Sequence, residues 1–271
     1  MNEWSSVRVA ISMASSAGSL ADSGRVLRHL GLRRFGSRVP RLRDRHRHEK
    51  IRLRSLIGPL VVSLDGGGLA TYYEIVIHRI YCLNDSWLPR ADDTVVDVGA
   101  NIGVYSSWAA ARVGESGRVI ALEPNPKAQE FLVENLAVAS NVEIHAIACG
   151  ENNDELTLYF PPDKLSVGSF EQRPDRTASV VVPVRTLDSV VTAPHIDLMK
   201  IDVEGHEIQV LRGGRDTLRR THRVALEVGG EQLPACVELL AGCGLPLVGE
   251  RSGAWNLPRS LATTAFFERP A

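Results

Sequence analysis

The 271-residue sequence lacks the features that mark several common classes of protein. Its 31 basic and 32 acidic residues leave a net charge of −1, which gives no overall bias toward nucleic acid or membranes. It contains no apolar run that could span a bilayer, and residues 7–20 make a poor secretion signal. Hydrophobic residues make up 44% of the chain, which is typical of a soluble globular protein. We therefore expect a cytoplasmic protein without a membrane span or a nucleic-acid partner.

The cysteines show no metal-binding or redox spacing. There are four, with no CxxC pair and no accompanying histidine pattern: Cys82, Cys149, Cys236 and Cys243. We expect buried, reduced thiols, as in intracellular proteins.

Basic residues are concentrated ahead of the main domain. Residues 1–50 contain eleven arginines or lysines and four acids, and we expect them to form a basic arm that is helical or partly disordered. Such an arm could bind an anionic partner, but solvated helices and a frayed terminus are commoner. Residues 51–93 are predicted to form a hairpin or helical extension that turns at Gly66-Gly67-Gly68. Residues 94–271 are then the main domain.

From Thr94 onward, short apolar runs alternate with helical patterns, which predicts an α/β fold whose mostly parallel sheet has helices on both faces. The predicted buried strands are TVVDV, RVIALE, VEIHAIA (142–148), IDLMKID and RVALEV. Period-two alternation in ELTLYF and SVVVPV predicts antiparallel strands, and the late segments LPLV and TTAFFE predict an antiparallel edge. Ligands of such sheets bind at the carboxyl ends of the strands. The residues at those ends are Asp97, Glu123, Ala148 and Asp202.

The stretch VVDVGANIGVYSS carries an acid, two glycines and an asparagine at the first strand-to-helix turn. Gly99 and Gly103 permit a sharp turn and a close approach by a ligand. Asp97 is placed to meet a cationic group, and Glu123, after the next strand, to accept the hydroxyls of a ribose. A dinucleotide site needs a glycine where Asn101 stands, and an acid nearby would repel a pyrophosphate. The pattern favours S-adenosylmethionine over a nicotinamide dinucleotide.

Together with ALEPNP, LDSV, IDLMKIDVEGHEIQVLRGG and ALEV, this stretch resembles the FkbM-type S-adenosylmethionine-dependent methyltransferases over about residues 81–230. The resemblance implies a class I methyltransferase (Rossmann-like) sheet and S-adenosyl-L-methionine as the cofactor. The cofactor-binding residues that it implies are Asp97, Gly99, Ala100, Asn101, Gly103 and Tyr105 at the first turn, Glu123, Pro124 and Asn125 at the ribose, and Ala148 and Cys149 at the adenine.

Three polar residues crowd the rim after the fourth strand and are the candidate catalytic residues: Asp202, Glu204 and His206. Methyl transfer to an alcohol needs a positioned acceptor oxygen and a base that removes its proton. Glu207 is explained by the helix dipole. The cluster could instead bind a hard divalent cation, but its spacing is not a dedicated ligand pattern, and we predict no metal.

The predicted activity is O-methylation of a hydroxyl on a small molecule, either a sugar or a secondary-metabolite (polyketide-type) scaffold. The preference for oxygen follows from the resemblance alone. Two alternatives stay open, an NAD(P)-dependent oxidoreductase and a non-catalytic binding protein on the same fold. The protein is also a candidate homo-oligomer.

Two further positions have a predicted role. Asn135 falls on the apolar face of its helix, where it either braces a neighbouring loop or is semi-exposed. In the loop 161–178, SVGSF stands where the family has a substrate-facing loop. Lys164-Leu165-Ser166 replaces the asparagine expected there, which leaves Ser169 a weak candidate.

Overall fold

The computed structural model describes residues 15–35, 50–55, 58–63, 68–160, 168–172, 174, 177–252 and 262–270. Most of the predicted basic arm therefore lies outside the described residues, as do Gly66, Gly67 and the stretch 164–166. The part of the arm that is described contains helix α1, Leu20–Phe35.

The remaining helices are α2 (Gly68–Tyr72), α3 (Val104–Val113), α4 (Pro126–Leu136), α5 (Leu187–Val190), α6 (Glu207–Arg212), α7 (Arg215–Arg219) and α8 (Leu233–Gly242), with a π-helical turn at Tyr73–Ile77 and a 3₁₀ turn at Asp85–Trp87. Within the described residues, no helix combines the length and the apolar character that crossing a membrane requires. The strands are β1 (Lys50–Arg54), β2 (Pro59–Ser63), β3 (Thr94–Val98), β4 (Arg118–Leu122), β5 (Val142–His145), β6 (Ala148–Cys149), β7 (Asp154–Phe160), β8 (Ala178–Arg185), β9 (Ile196–Ile201), β10 (Thr221–Val228), β11 (Leu247–Ser252) and β12 (Thr263–Glu268).

Seven strands form the central sheet in the order β11-β12-β10-β9-β3-β4-β5. The strands from β10 to β5 in this order are parallel, whereas β12 is antiparallel to both β10 and β11. This confirms the predicted mostly parallel sheet with an antiparallel edge. The strand order reverses between β3 and β9, and a ligand is expected at the carboxyl ends of these two strands.

The apolar strands are continuous because helices cover both faces of the sheet. Val95 packs into the same core as Trp108 of α3. Val96, the next residue, packs on the opposite face with Leu211 and Cys236 of α6 and α8.

The predicted strand 142–148 is wrong in one respect, because it is two strands in two sheets. His145 pairs with Leu122, the last residue of β4. Residues after His145 therefore have no strand of the central sheet to pair with. Ala148 and Cys149 instead form β6, which pairs in parallel with β8. On its other side, β8 pairs with β7 in the antiparallel direction. The resulting small sheet carries Ala148 and Cys149 beside the end of β4.

Most of the predicted turn at Gly66–Gly68 lies outside the described residues. The hairpin that the structure describes joins β1 to β2, where the Ser55 N–H donates to the Gly58 carbonyl at 3.1 Å. Gly68 instead begins α2, and a Cβ there would lie 2.9 Å from the Cβ of Val62. Close packing of α2 on β2 explains this glycine.

Asn135 braces the loop after β3, as one of its two predicted interpretations required. Its side chain is buried, its Oδ1 accepts from the Val61 N–H at 2.6 Å, and its Nδ2 donates to the carbonyls of Val61 at 2.9 Å and Ile102 at 2.7 Å. One amide thus ties α4 to the hairpin and to the glycine-containing turn.

The four cysteines are buried free thiols, as predicted. Burial raises the pKa of Cys149 to about 12 and that of Cys82 to about 11. These thiols stay protonated at neutral pH and pack as small apolar groups.

Candidate active site

Two cavities open at the carboxyl ends of the parallel strands. The first extends from Glu123 to Phe170. The second extends from Glu74 to Glu227. Four residues line both cavities: Gly99, Asn101, Asp202 and Glu204. These four residues form a shared wall between the cavities. The shared wall lies between β3 and β9, where the strand order reverses.

Gly99 allows the turns after β3 and β9 to touch. Its φ is +80°, and a Cβ built there would lie 1.9 Å from the carbonyl oxygen of Asp202. The Gly99 and Ala100 N–H groups both donate to the Leu122 carbonyl at 2.9 Å, which anchors the turn to β4. A side chain at Gly99 would therefore force the shared wall apart.

Among the described residues, Glu123 is the one acid that lines the first cavity alone. Its Oε2 accepts from the Asn101 N–H at 2.7 Å and its Oε1 from the Asn125 N–H at 2.8 Å. Burial raises the pKa of Glu123 to about 7, although both backbone hydrogen bonds act to lower it. Each carboxylate oxygen keeps a further lone pair, so the group can still accept the two hydroxyls of a ribose.

The rest of the first cavity suits a flat, mostly apolar group. Its lining includes Pro124, Asn125, Ala148, Cys149, Leu158, Gly168, Ser169 and Phe170. The Phe170 ring lies 4.8 Å from the His206 ring, centroid to centroid. Ser169 is buried at this wall, where its Oγ accepts from the Glu171 N–H at 3.1 Å. Phe170, which sequence reasoning did not select, follows it directly.

Asp97 is not among the described residues that line either cavity, contrary to the expectation that its carboxylate meets a ligand directly. It is fully buried, accepts from Ser106 Oγ at 2.6 Å and lies 3.1 Å from Lys200 Nζ. Lys200 also donates to the Gly99 carbonyl at 2.6 Å. The buried pair of Asp97 and Lys200 therefore supports the turn that contains Gly99.

Lys200 remains charged in this position. Burial by itself would lower its pKa, but the carboxylates of Asp97 and Asp202 outweigh burial and raise the pKa above its ordinary value. Gly103 has a packing role, because a Cβ there would lie 2.8 Å from Leu132 Cδ1.

The second cavity is rich in acids. Its lining includes Glu74, Ala100, Tyr105, Lys200, Asp202, Glu204 and Glu227. Tyr81 also lines it, and its phenol oxygen lies 2.8 Å from Asp202 Oδ2 and 2.8 Å from Glu227 Oε2. Burial and the nearby Asp202 carboxylate raise the pKa of Glu227 well above its ordinary value.

Sequence reasoning missed Glu227 and Tyr81. Glu227 is the penultimate residue of the next parallel strand, β10, so the strand-end rule that selected Asp202 also points to Glu227. Tyr81 carries no such signal, because it precedes the sheet by more than ten residues.

The structure separates the three candidate catalytic residues. Asp202 and Glu204 line both cavities, whereas His206 is found only in the first, where burial lowers its pKa. Glu207 begins α6, and its Oε1 accepts from the Gly205 N–H at 2.8 Å, which fits its predicted place at a helix terminus. Across the described ranges, no group of three or more histidines, cysteines or acids could hold a metal ion.

Residues 97–244, more than half of the chain, match the methyltransferase FkbM domain. The chain belongs to the FkbM methyltransferase family. The strand order agrees, since the central sheet has the class I methyltransferase arrangement.

Three curated relatives illustrate the family. The chain is 28% identical to the hexuronic acid methyltransferase AglP of Haloferax volcanii, over 51% of this chain and 56% of AglP. It is 29% identical to methyltransferase sdnD of Sordaria araneosa, over 49% of this chain and 64% of the relative. It is 25% identical to the 2-O-methyltransferase NoeI of Sinorhizobium fredii, over 55% of this chain and 68% of NoeI. The matches thus span between 56% and 68% of the length of these relatives.

Among solved structures, the fibrillarin of Aeropyrum pernix with bound S-adenosyl-L-methionine is similar at a TM-score of 0.49 and 11% identity, covering 80% of this chain and 88% of that chain.

S-adenosyl-L-methionine is the cofactor of the FkbM family. The first cavity fits its nucleoside, because Glu123 offers carboxylate oxygens at one end and the Phe170 wall is apolar. Asn101 Oδ1 is buried at the shared wall without a hydrogen-bond partner among the described residues. An unpartnered buried oxygen there suits a ligand that donates a hydrogen bond.

Proposed function

We propose that this protein transfers the methyl group of S-adenosyl-L-methionine to a hydroxyl oxygen of a small molecule. The observation that carries the proposal is the shared wall, where the cavity that contains Glu123 and a polar, acidic cavity meet at Gly99, Asp202 and Glu204. Such an arrangement can hold a methyl donor and an acceptor side by side.

The first cavity binds the nucleoside end of the cofactor in this proposal. Glu123 accepts the ribose hydroxyls, Ala148 and Cys149 border the adenine, and Phe170 and His206 pack against its ring. Asn101 accepts a hydrogen bond from the cofactor at the shared wall. Asp97 contributes indirectly, through Lys200 and the Gly99 carbonyl.

When bound, S-adenosyl-L-methionine supplies an electrophilic methyl group on a positively charged sulfur. Asp202 and Glu204 face the place where the two cavities meet, so they position the acceptor hydroxyl and take its proton. The neighbouring acids also suit the positive charge of the donor. His206, which we expected at the acceptor, belongs to the cofactor side.

Two relatives support a hydroxylated acceptor. AglP is named as a hexuronic acid methyltransferase and NoeI as a 2-O-methyltransferase. A sugar or a secondary-metabolite scaffold remains the proposed acceptor class.

The test is to incubate the protein with S-adenosyl-L-methionine labelled in its methyl group and a panel of neutral sugars, uronic acids and polyketide-type alcohols. Mass spectrometry should locate the label on an acceptor oxygen. Glu123→Ala should bind the cofactor more than about a hundredfold less tightly, because two charge-assisted acceptors are lost. Glu130→Ala, an exposed acid on α4, is the matched control. Tighter binding of a nicotinamide dinucleotide than of S-adenosyl-L-methionine would instead support an oxidoreductase.

A further inference from the structure

Tyr81 and Glu227 form a hydrogen-bonded chain with Asp202 at the floor of the second cavity. We propose that they are positioning residues for methyl transfer: a protonated Glu227 donates to the Tyr81 phenol oxygen, whose hydroxyl donates to Asp202, which leaves Asp202 as the carboxylate that receives the acceptor's proton. The inference rests on the proposed function and assigns the base within it.

A count of protons supports the direction of the chain. The phenol oxygen is 2.8 Å from one oxygen of each carboxyl group, yet a phenol has a single proton to donate. Two carboxylates cannot both be held at this distance by one proton, so one carboxyl group must donate to the phenol.

The surroundings identify that group as Glu227. Burial and the Asp202 carboxylate raise its pKa well above the ordinary value. Asp202, by contrast, has an oxygen 3.8 Å from the buried ammonium of Lys200. The charged and titratable groups around Glu227 are Tyr81, Lys200, Asp202, Glu74 and Glu204.

The fold fixes the geometry of the chain. Asp202 directly follows β9, and Glu227 is the penultimate residue of the neighbouring parallel strand β10. The Tyr81 ring is buried and packs edge-on against Tyr105 at 5.7 Å, with Lys200 Nζ 5.4 Å from its centroid. Its hydroxyl therefore has one fixed position.

The step balances without any further reactant. The acceptor's O–H bond breaks as its oxygen forms a bond to the methyl carbon, and the bond from sulfur to that carbon breaks. The proton moves to Asp202 Oδ1, the oxygen that Tyr81 does not occupy, and the sulfur becomes a neutral thioether.

Four variants test the chain: Tyr81→Phe, Glu227→Gln, Glu227→Leu and, as a control, Tyr72→Phe, whose hydroxyl donates to the Arg54 carbonyl outside the cluster. Tyr81→Phe and Glu227→Leu should lower kcat about tenfold to a hundredfold, while cofactor affinity by calorimetry stays unchanged. Glu227→Gln should retain most of the activity, because its amide still donates to the phenol. In the wild-type protein, ionisation of Glu227 at high pH should lower kcat. Glu227→Gln should not show this decline, because glutamine does not ionise.

A second measurement needs no acceptor. Difference infrared spectra at pH 8, where Glu123 is largely ionised, should show the C=O band of a protonated carboxylic acid in the wild-type protein that is missing from both Glu227→Gln and Glu227→Leu. The inference is overturned if that band is absent, if Glu227→Gln is as inactive as Glu227→Leu, or if Tyr81→Phe weakens cofactor binding as Glu123→Ala does. A wild-type protein that methylates no acceptor would refute the proposed function, while the band would still show the protonated chain.

Discussion

The two cavities that meet at Asp202 are built from different parts of the chain. The first is lined by residues 99–206, all within the segment that matches the FkbM domain. The second adds Ala70, Thr71, Glu74 and Tyr81, which precede that segment. We therefore expect cofactor binding to be a property of the matched segment and acceptor choice to depend on residues 70–81 as well.

The cavities also differ in how they treat charge. In the first, the Glu123 carboxylate is held by backbone N–H groups. In the second, acids from several elements face one another, and a tyrosine and a lysine separate them. Backbone donors hold a charge without titrating, whereas clustered acids must share protons. Proton transfer is therefore expected in the second cavity, and shape recognition in the first.

The largest effect is expected on stability, at the buried pair of Asp97 and Lys200. Lys200→Met leaves the Asp97 carboxylate buried without its cation and should lower the free energy of unfolding by about 3–5 kcal/mol, measured by urea denaturation. The double variant Asp97→Asn/Lys200→Met removes the stranded charge and should be more stable than Lys200→Met alone. Equal stability of the two would show that the pair does not support the turn.

The shared wall should be the next most sensitive place. Gly99→Ala adds a Cβ that meets the Asp202 carbonyl at 1.9 Å, so it should destabilise the fold and abolish cofactor binding. Gly114 also has a positive φ, of +71°, but its Cβ would meet nothing within 4 Å. Gly114→Ala should therefore cost only conformational strain, about 1–3 kcal/mol because its φ of 71° and ψ of −173° lie in a region almost restricted to glycine, and should keep cofactor affinity. If Gly99→Ala and Gly114→Ala lost the same stability and cofactor affinity, the contact between the turns after β3 and β9 would not be important for either.

A smaller effect is expected on the pH dependence of cofactor binding in the first cavity. Because the pKa of Glu123 is raised to about 7, the acid is largely protonated at pH 6 and accepts ribose hydroxyls poorly. Cofactor affinity should rise about tenfold from pH 6 to pH 8 and level off above that, with release of a proton on binding below pH 7. Calorimetry in buffers of different ionisation enthalpy measures this release. Glu123→Gln should bind weakly without this pH dependence, and a similar slope in that variant would assign it to another group.

The smallest effect tests the placement of His206. His206→Phe keeps a ring against Phe170 and should weaken cofactor binding by about 1 kcal/mol, with kcat nearly unchanged. Glu204→Gln, its counterpart on the shared wall, should lower kcat and leave cofactor affinity intact. A collapse of kcat in His206→Phe at normal cofactor affinity would return His206 to the acceptor side.

Much of the first cavity could be predicted from sequence, because parallel strands are apolar runs whose ends are easy to recognise. Glu123 and Asp202 were located in this way, and so was the turn at Gly99. The same reasoning failed at VEIHAIA, since it cannot tell that β4 ends opposite His145 and leaves β5 without a neighbour.

The sequence by itself determined the sheet, its antiparallel edge and the family, because periodicity and short motifs are local properties. Only the tertiary structure decided that Asp97 faces Lys200 and that His206 lines the first cavity and not the second. It also brought Tyr81 to Asp202 and Glu227, which are 121 and 146 positions away. Such contacts depend on how distant elements pack, and no local pattern records that packing.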